Sequence, residues 1–241
     1  MIKEDFLMTQ NEFHKLVHVV MDSKAKPPES LFAGGMDSWR ARARLAHFLA
    51  MDEIDKKAEA SELLHSVVEA NYNEENSEEV EEYVFALQKL SALEKDQEKY
   101  DEALNHINQA IEAGEGTDFL YKYILRGELW ADRWNIMHKM GLTADAEKEV
   151  DERIEAYKDI PIEHNSYLYY GYRFKAQLAA ARGVTLVAKD YMHMAIHSME
   201  IPEKYQAGLE KAFAADHDNA SWILTEVDKA TPNPDMLHWD I

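Results

Sequence analysis

The chain has 241 residues, enough for one large domain or two small ones, and its 46% hydrophobic and 30% charged content is an ordinary globular balance. Its 46 acidic residues outnumber 26 basic ones for a formal charge of −20. That average field repels phosphate backbones and anionic lipid surfaces, so neither nucleic acid nor a membrane is expected as a partner. The absence of cysteine excludes a thiol nucleophile, a disulfide framework and a thiolate metal site.

Nine glycines and six prolines are few for this length, which disfavours a turn-rich all-β fold, and nearly everything reads as helix. A first amphipathic segment runs from about Lys3 to Met21. Charges from Lys3 onward leave no apolar run for a signal peptide, and no window approaches the roughly eighteen apolar residues of a membrane span. A cytoplasmic location is the expectation. The stretch "DSKAKPPESLFAGGMD", Asp22 to Asp37, reads as a linker or mobile loop and completes an N-terminal region, residues 1–37. From 38 to 200 helical segments alternate with short breaks. Ser77, Thr117, Thr143 and Thr185 stand where N-caps would serve, and Gly114, Gly141 and Gly183 where helices should stop. Residues 201–241 read as capping helices between about Pro202 and Lys229, then an extended tail, "TPNPDMLHWDI", that Leu237 and Trp239 fold back. Without a secretion signal, the sequon at Asn219-Ala-Ser221 is a chance match.

Self-similarity is the strongest signal. In "KYDEALNHINQAIEAG", Lys99 to Gly114, one helical face is apolar and small, with Ile107 and Ile111 four and eight residues after Ala103. The same spacing leads from Ala60 to Leu64 and Val68, from Ala146 to Val150 and Ile154, and from Ala188 to Met192 and Ile196. The reference alanines are 43, 43 and 42 residues apart. Sixteen, thirteen and twelve residues before Ala103 lie Leu87, Leu90 and Ser91, a large-large-small face for a partner helix. The equivalents are less regular: Tyr172, Lys175 and Ala176 before Ala188; Trp130, Arg133 and Trp134 before Ala146; Arg44, His47 and Phe48 before Ala60.

The stretch "LQKLSALEKDQEKYDEALNHINQAIEAG", with Leu87, Leu90, Ser91, Tyr100, Ala103, Ile107 and Ala110, resembles the tetratricopeptide repeat. The match is closest over 84–114 and looser across 38–200, and its period exceeds the family's usual length of about 34 residues. The resemblance implies an all-α fold, a superhelical array of antiparallel helix hairpins (an α-solenoid), whose concave face binds a peptide or protein segment. No hairpin of such an array can bury both its faces alone, so neighbours stack into a continuous core. In that register Tyr170, Arg173, Phe174 and Gln177 point to the concave side, with Ala131, Asp132, Asn135 and His138 from the preceding unit and Phe85, Gln88, Lys89 and Ala92 from the one before. The candidate groove is therefore Gln88, Lys89, Asp132, Asn135, His138, Tyr170, Arg173, Phe174 and Gln177, and the expected function is a non-enzymatic protein- or peptide-binding scaffold without metal or cofactor. A lysine-and-asparagine clamp for a C-terminal carboxylate is not evident.

Other readings stay open. Bacterial quorum-sensing regulators carry similar repeats, which suggests a peptide sensor, although no basic recognition helix is visible. A helical metal-dependent enzyme would draw on the i,i+4 pairs His14/His18 and His193/His197, or on Glu62 and His65 in "ELLH", with Asp190 and His193 as a distant second copy. Neither pair holds the glutamate of a hydrolytic "HExxH" helix, and no phosphate-binding glycine loop or nucleophile elbow appears; "AGGMD" is a flexible turn. A third reading is homo-oligomerisation, with the Trp239 tail entering a neighbour's groove. Among charged stretches, "NEENSEEVEE" reads as a solvated lead into a helix N-terminus, and "WRARAR", Trp39 to Arg44, as intramolecular pairing with glutamates or else an anion site. In "YLYYGYRF", Tyr167 to Phe174, one helical turn cannot bury every ring in one direction, so some tyrosines are expected to face a groove or neighbour.

Overall fold

The computed structural model describes residues 8–115, 125–160 and 166–198. These residues are all-helical, with no strand among them. The helices are α1 Gln10–Met21, α2 Trp39–Leu49, α3 Lys57–Val68, α4 Ser77–Asp96, α5 Tyr100–Gly114, α6 Leu125–Lys139, α7 Thr143–Tyr157, α8 Ser166–Ala181 and α9 Thr185–Ile196. No helix among the described residues is long and apolar enough to cross a membrane. The expected capping helices and tail of 201–241, the sequon, Thr117 and the start of the first helix lie outside the described residues.

The chain divides into two compact units, Met1–Gly114 and Glu115–Ile241. In the first, α2 packs on α3, α3 on α4 and α4 on α5, and α2 also meets α4. In the second, α6 packs on α7, α7 on α8 and α8 on α9, and α6 also meets α8. Within each unit, the first helix of one hairpin touches its own partner and the first helix of the next.

The four reference alanines occupy one structural position. Ala60, Ala103 and Ala146 are fully buried and Ala188 is 2% exposed. Four residues on, Leu64, Ile107, Val150 and Met192 are buried, and eight residues on, Val68, Ile111, Ile154 and Ile196 are half-buried. Twelve residues before each alanine, Phe48, Ser91, Trp134 and Ala176 are buried as well. The backbone repeats with the side chains. Five residues before the alanines, Asp55, Glu98, Gly141 and Gly183 all have positive φ, at 52°, 62°, 82° and 75°. One residue later, the carbonyls of Lys56, Lys99, Leu142 and Val184 accept the amide N–H of the alanine at 2.9–3.0 Å. In the last three hairpins the amides of Lys99, Leu142 and Val184 also reach back to close the preceding helix, onto the carbonyls of Glu94, Met137 and Ala179 at 2.9 Å. This left-handed helix stop is easy for glycine and strained for aspartate or glutamate.

That backbone repeat shifts the expected caps. Thr143 and Thr185 are the first helical residues, and Leu142 and Val184 hold the cap positions with no side-chain hydrogen bond. The tight turn leaves the cap residue committed to closing the previous helix, and the Thr143 hydroxyl pairs with His138 Nδ1 at 2.8 Å. Asn76, not Ser77, caps α4, its Oδ1 accepting the amides of Glu78 and Glu79. α1 opens on a capping box in which Thr9 and Glu12 satisfy each other's backbone amides.

One other expectation changes and a second is narrowed. Asp22–Asp37 is not a free linker: it forms two short 3-10 turns, Glu29–Phe32 and Gly35–Asp37. Phe32 is buried edge-on against Phe48 at 6.3 Å. Leu31 and Met36 pack on the first unit's core. The prolines and glycines shape this segment, and its interleaved apolar residues anchor it. In α8, Tyr167, Tyr169 and Tyr170 are all buried and Tyr172 is half-buried. α8 is the hub of its unit, with α6, α7 and α9 all packed against it, so its rings are covered from three directions. Tyr167 stacks on Tyr157 of α7 at 4.1 Å and Tyr172 on Tyr191 of α9 at 6.4 Å.

Candidate functional site

The candidate groove residues fall in both units. Gln88 and Lys89 lie on α4 of the first, half-buried. Asp132, Asn135 and His138 lie on α6 and Tyr170, Arg173, Phe174 and Gln177 on α8, two helices that pack directly on each other in the second. Their approach is close because α6 carries Gly127, whose amide donates to Ser166 Oγ at 3.0 Å. A Cβ at Gly127 would stand 2.4 Å from the Ser166 carbonyl oxygen. Gly171 of α8 is the matching concession to α7, since a Cβ there would meet Ile154 at 3.1 Å.

On this α6–α8 face, Asp132, Asn135, Arg173 and Gln177 are half-buried and His138 is exposed. Tyr170 and Phe174 are 4% and 2% exposed, so their rings are packing surface. Phe174 meets fully buried Trp134 at 6.0 Å, Tyr170 meets Tyr169 edge-on at 5.0 Å, and the Arg173 guanidinium carbon stands 5.9 Å from the Tyr170 ring centre. Burial pushes the Tyr170 hydroxyl well above the usual tyrosine pKa. Glu128, Tyr169 and Asp132 push the same way, and Arg173 opposes them. Tyr170 thus stays a neutral hydroxyl within a field of two carboxylates and a guanidinium. Glu128 is the member the sequence reading missed; its signal is its place one turn before Asp132 on the same helix face.

The units that depart from the repeat pattern do so with ion pairs. Arg133, thirteen residues before Ala146, forms a two-pronged pair with Glu149 across its hairpin, at 3.0 and 2.7 Å. Lys175, at the equivalent place before Ala188, pairs with Asp151 of α7. Arg153 lies 3.7 Å above the Trp130 ring and beside Tyr157 and Tyr167. In the first unit Arg40 and Arg44 converge on Glu82, which is 7% exposed, with Arg40 Nε at 2.7 Å and Arg44 Nε at 3.0 Å. The basic stretch of α2 thereby pairs with a glutamate of α4, as one of its two sequence readings has it.

His65 stands near Glu94 and His106 on neighbouring helices. Glu94, 3% exposed, accepts from His106 Nδ1 at 2.7 Å and lies 3.9 Å from His65 Nε2. This cluster bridges α3, α4 and α5 in the first unit. Among the described residues, no group of three or more His, Asp or Glu side chains is arranged to hold a metal ion. Asp190 and His193 lie in the second unit.

No family model, curated protein or solved structure matches this chain. The resemblance to the tetratricopeptide repeat therefore rests on the quoted residues and their spacing.

Proposed function

We propose that the chain is a non-enzymatic binding module, an array of stacked helix hairpins that holds an extended protein or peptide segment. The α6–α8 face of the second unit is its central contact. The observation that supports this reading is the close packing of α6 on α8 at Gly127 and Ser166, with Asp132 of α6 and Arg173 of α8 both acting on the Tyr170 hydroxyl. Both charge signs and two side-chain amides then stand on neighbouring helices, each with part of its surface in water. An extended backbone offers N–H and C=O groups in alternation, and amides can pair with both. Fixed charges of either sign add register and selectivity more than raw affinity. Tyr170 and Phe174 serve as the rigid support under this surface.

A photo-crosslinking residue placed at Asn135 or Gln177 tests this, with a third at Lys148, whose side chain is 77% exposed on α7. Capture of the same partner from the first two positions and none from the third is expected, and Arg173→Ala should weaken capture at both with an unchanged melting curve. Equal labelling from all three positions refutes the assignment.

A further inference from the structure

Arg153 of α7 is held by aromatic rings where an acidic partner would be expected. With 46 acidic residues against 26 basic ones, carboxylates are in excess. Arg40 and Arg44 pair with Glu82, Arg133 with Glu149 and Arg182 with Glu147. Five carboxylates on the helix of Arg153, Glu147, Glu149, Asp151, Glu152 and Glu155, all pair with other cations. Among the described residues no carboxylate forms an ion pair with Arg153. Its guanidinium carbon lies 3.7 Å from the Trp130 ring centre and 5.9 Å from those of Tyr157 and Tyr167. Its Nη1 donates to the Tyr157 hydroxyl at a long 3.5 Å. A guanidinium has five N–H donors, so most of the fork is left for another acceptor. Arg153, Trp130 and Tyr157 are half-buried, so the site reaches the surface. Burial raises the Tyr167 hydroxyl pKa, and Arg126 and Arg153 both act against that rise, so two guanidinium charges bear on one buried ring.

We propose that the Arg153 fork, framed by Trp130, Tyr157 and Tyr167, is a docking point for an acidic side chain of a protein partner. A guanidinium stacked on a ring keeps its charge and its donors, and one fixed before its ligand arrives loses less freedom on binding. The planar fork meets both oxygens of a carboxylate. Arg133, whose guanidinium carbon is 5.7 Å from the same Trp130 ring, is answered by Glu149. One guanidinium without a counter-charge at this ring suits a singly charged carboxylate better than a phosphate, which carries nearly two charges. The net charge of −20 opposes anions at long range, and the more so the higher their charge. Recognition here therefore depends on short-range geometry. The site shares no residue with the α6–α8 face and gives the chain a second contact.

The test is fluorescence anisotropy of fluorescein-labelled octaglutamate with the full chain at physiological ionic strength. Wild type is compared with Arg153→Gln, Arg153→Lys and, as a control that removes the same charge elsewhere, Arg182→Gln. Arg153→Lys keeps a cation against Trp130 and removes the fork, so it tests the site even if Arg153→Gln lowers the melting temperature. Octaglutamate is expected to bind wild type and octaglutamine is not. Affinity should fall at least about tenfold in Arg153→Gln and about threefold in Arg153→Lys, and stay within about twofold in Arg182→Gln. No binding of octaglutamate to wild type overturns the proposal, and so does an equal loss in Arg182→Gln, which would mark an effect of net charge alone. Stronger competition by sodium phosphate than by sodium acetate, at equal concentration and matched ionic strength, would overturn the assignment to a carboxylate.

Discussion

The hairpins α4–α5 and α6–α7 solve one geometric problem with different chemistry. Both turn through a left-handed residue, bury an alanine five residues later and pack a side chain from twelve residues before it. In α4–α5 that side chain is Ser91, whose hydroxyl donates to the Ala103 carbonyl at 2.7 Å. In α6–α7 it is Trp134, the largest of the fully buried side chains, set against Trp130 and Phe174. One hairpin is held by small-residue contact and a hydrogen bond, the other by aromatic volume and the Arg133–Glu149 pair. The lesson is that the backbone turn and the buried alanine define the unit, whereas the facing side chain varies with what the neighbouring helix offers.

Substitutions at these positions probe that contrast directly. The largest loss is expected for Trp134→Ala, about 4 kcal/mol by urea denaturation, because the cavity opens among Trp130, Phe174 and α8 with nothing able to fill it. A loss under about 1 kcal/mol there would mean that volume at this position is not what holds the second unit together. Ser91→Ala should cost only about 1 kcal/mol, the net worth of a single hydrogen bond. A cost equal to that of Trp134→Ala would erase the distinction between the hairpins. The smallest effects concern the turns, and they should have opposite signs. Glu98→Gly relieves a left-handed non-glycine residue and is expected to raise stability by up to about 1 kcal/mol, offset in part by the greater freedom of glycine in the unfolded chain. Gly141→Ala, with nothing within 4 Å of its added Cβ, should lower stability by about 1 kcal/mol through φ alone. Equal signs would show that the two turns are not equivalent.

Legibility in the sequence followed from how narrowly each position constrains the residue. The alanines were readable because a helix-to-helix contact that close excludes larger side chains, and Gly141 and Gly183 because glycine marks positive φ. Glu98 occupies the same turn as Gly141 and Gly183, and Asp55 the matching left-handed position in a longer connection, without any such mark, so the backbone repeat could not be completed from residue types. Of the two settings the sequence left open for the tyrosines of α8, a groove or a neighbouring unit, Tyr167 takes the second against Tyr157, because one helix's sequence records how apolar it is and not how many neighbours surround it. Glu82 as the partner of Arg40 and Arg44, and Glu94 as that of His106, depend on which helices adjoin, which charge patterning alone does not encode. The repeat register put seven of the candidate groove residues on α6 and α8, and those two helices pack on each other within the second unit. Burial of Tyr170 and Phe174, and the presence of Glu128 beside them, came only with the coordinates.

The position of α8 as the hub of its unit has a consequence for how the chain is made. Trp134 leaves the ribosome 40 residues ahead of Phe174, the ring it rests against. At synthesis rates of roughly 5–20 residues per second, α6 waits about two to eight seconds for the helix that covers it. Slow translation through the α8 codons would prolong that wait and should raise the share of nascent chains captured by chaperones.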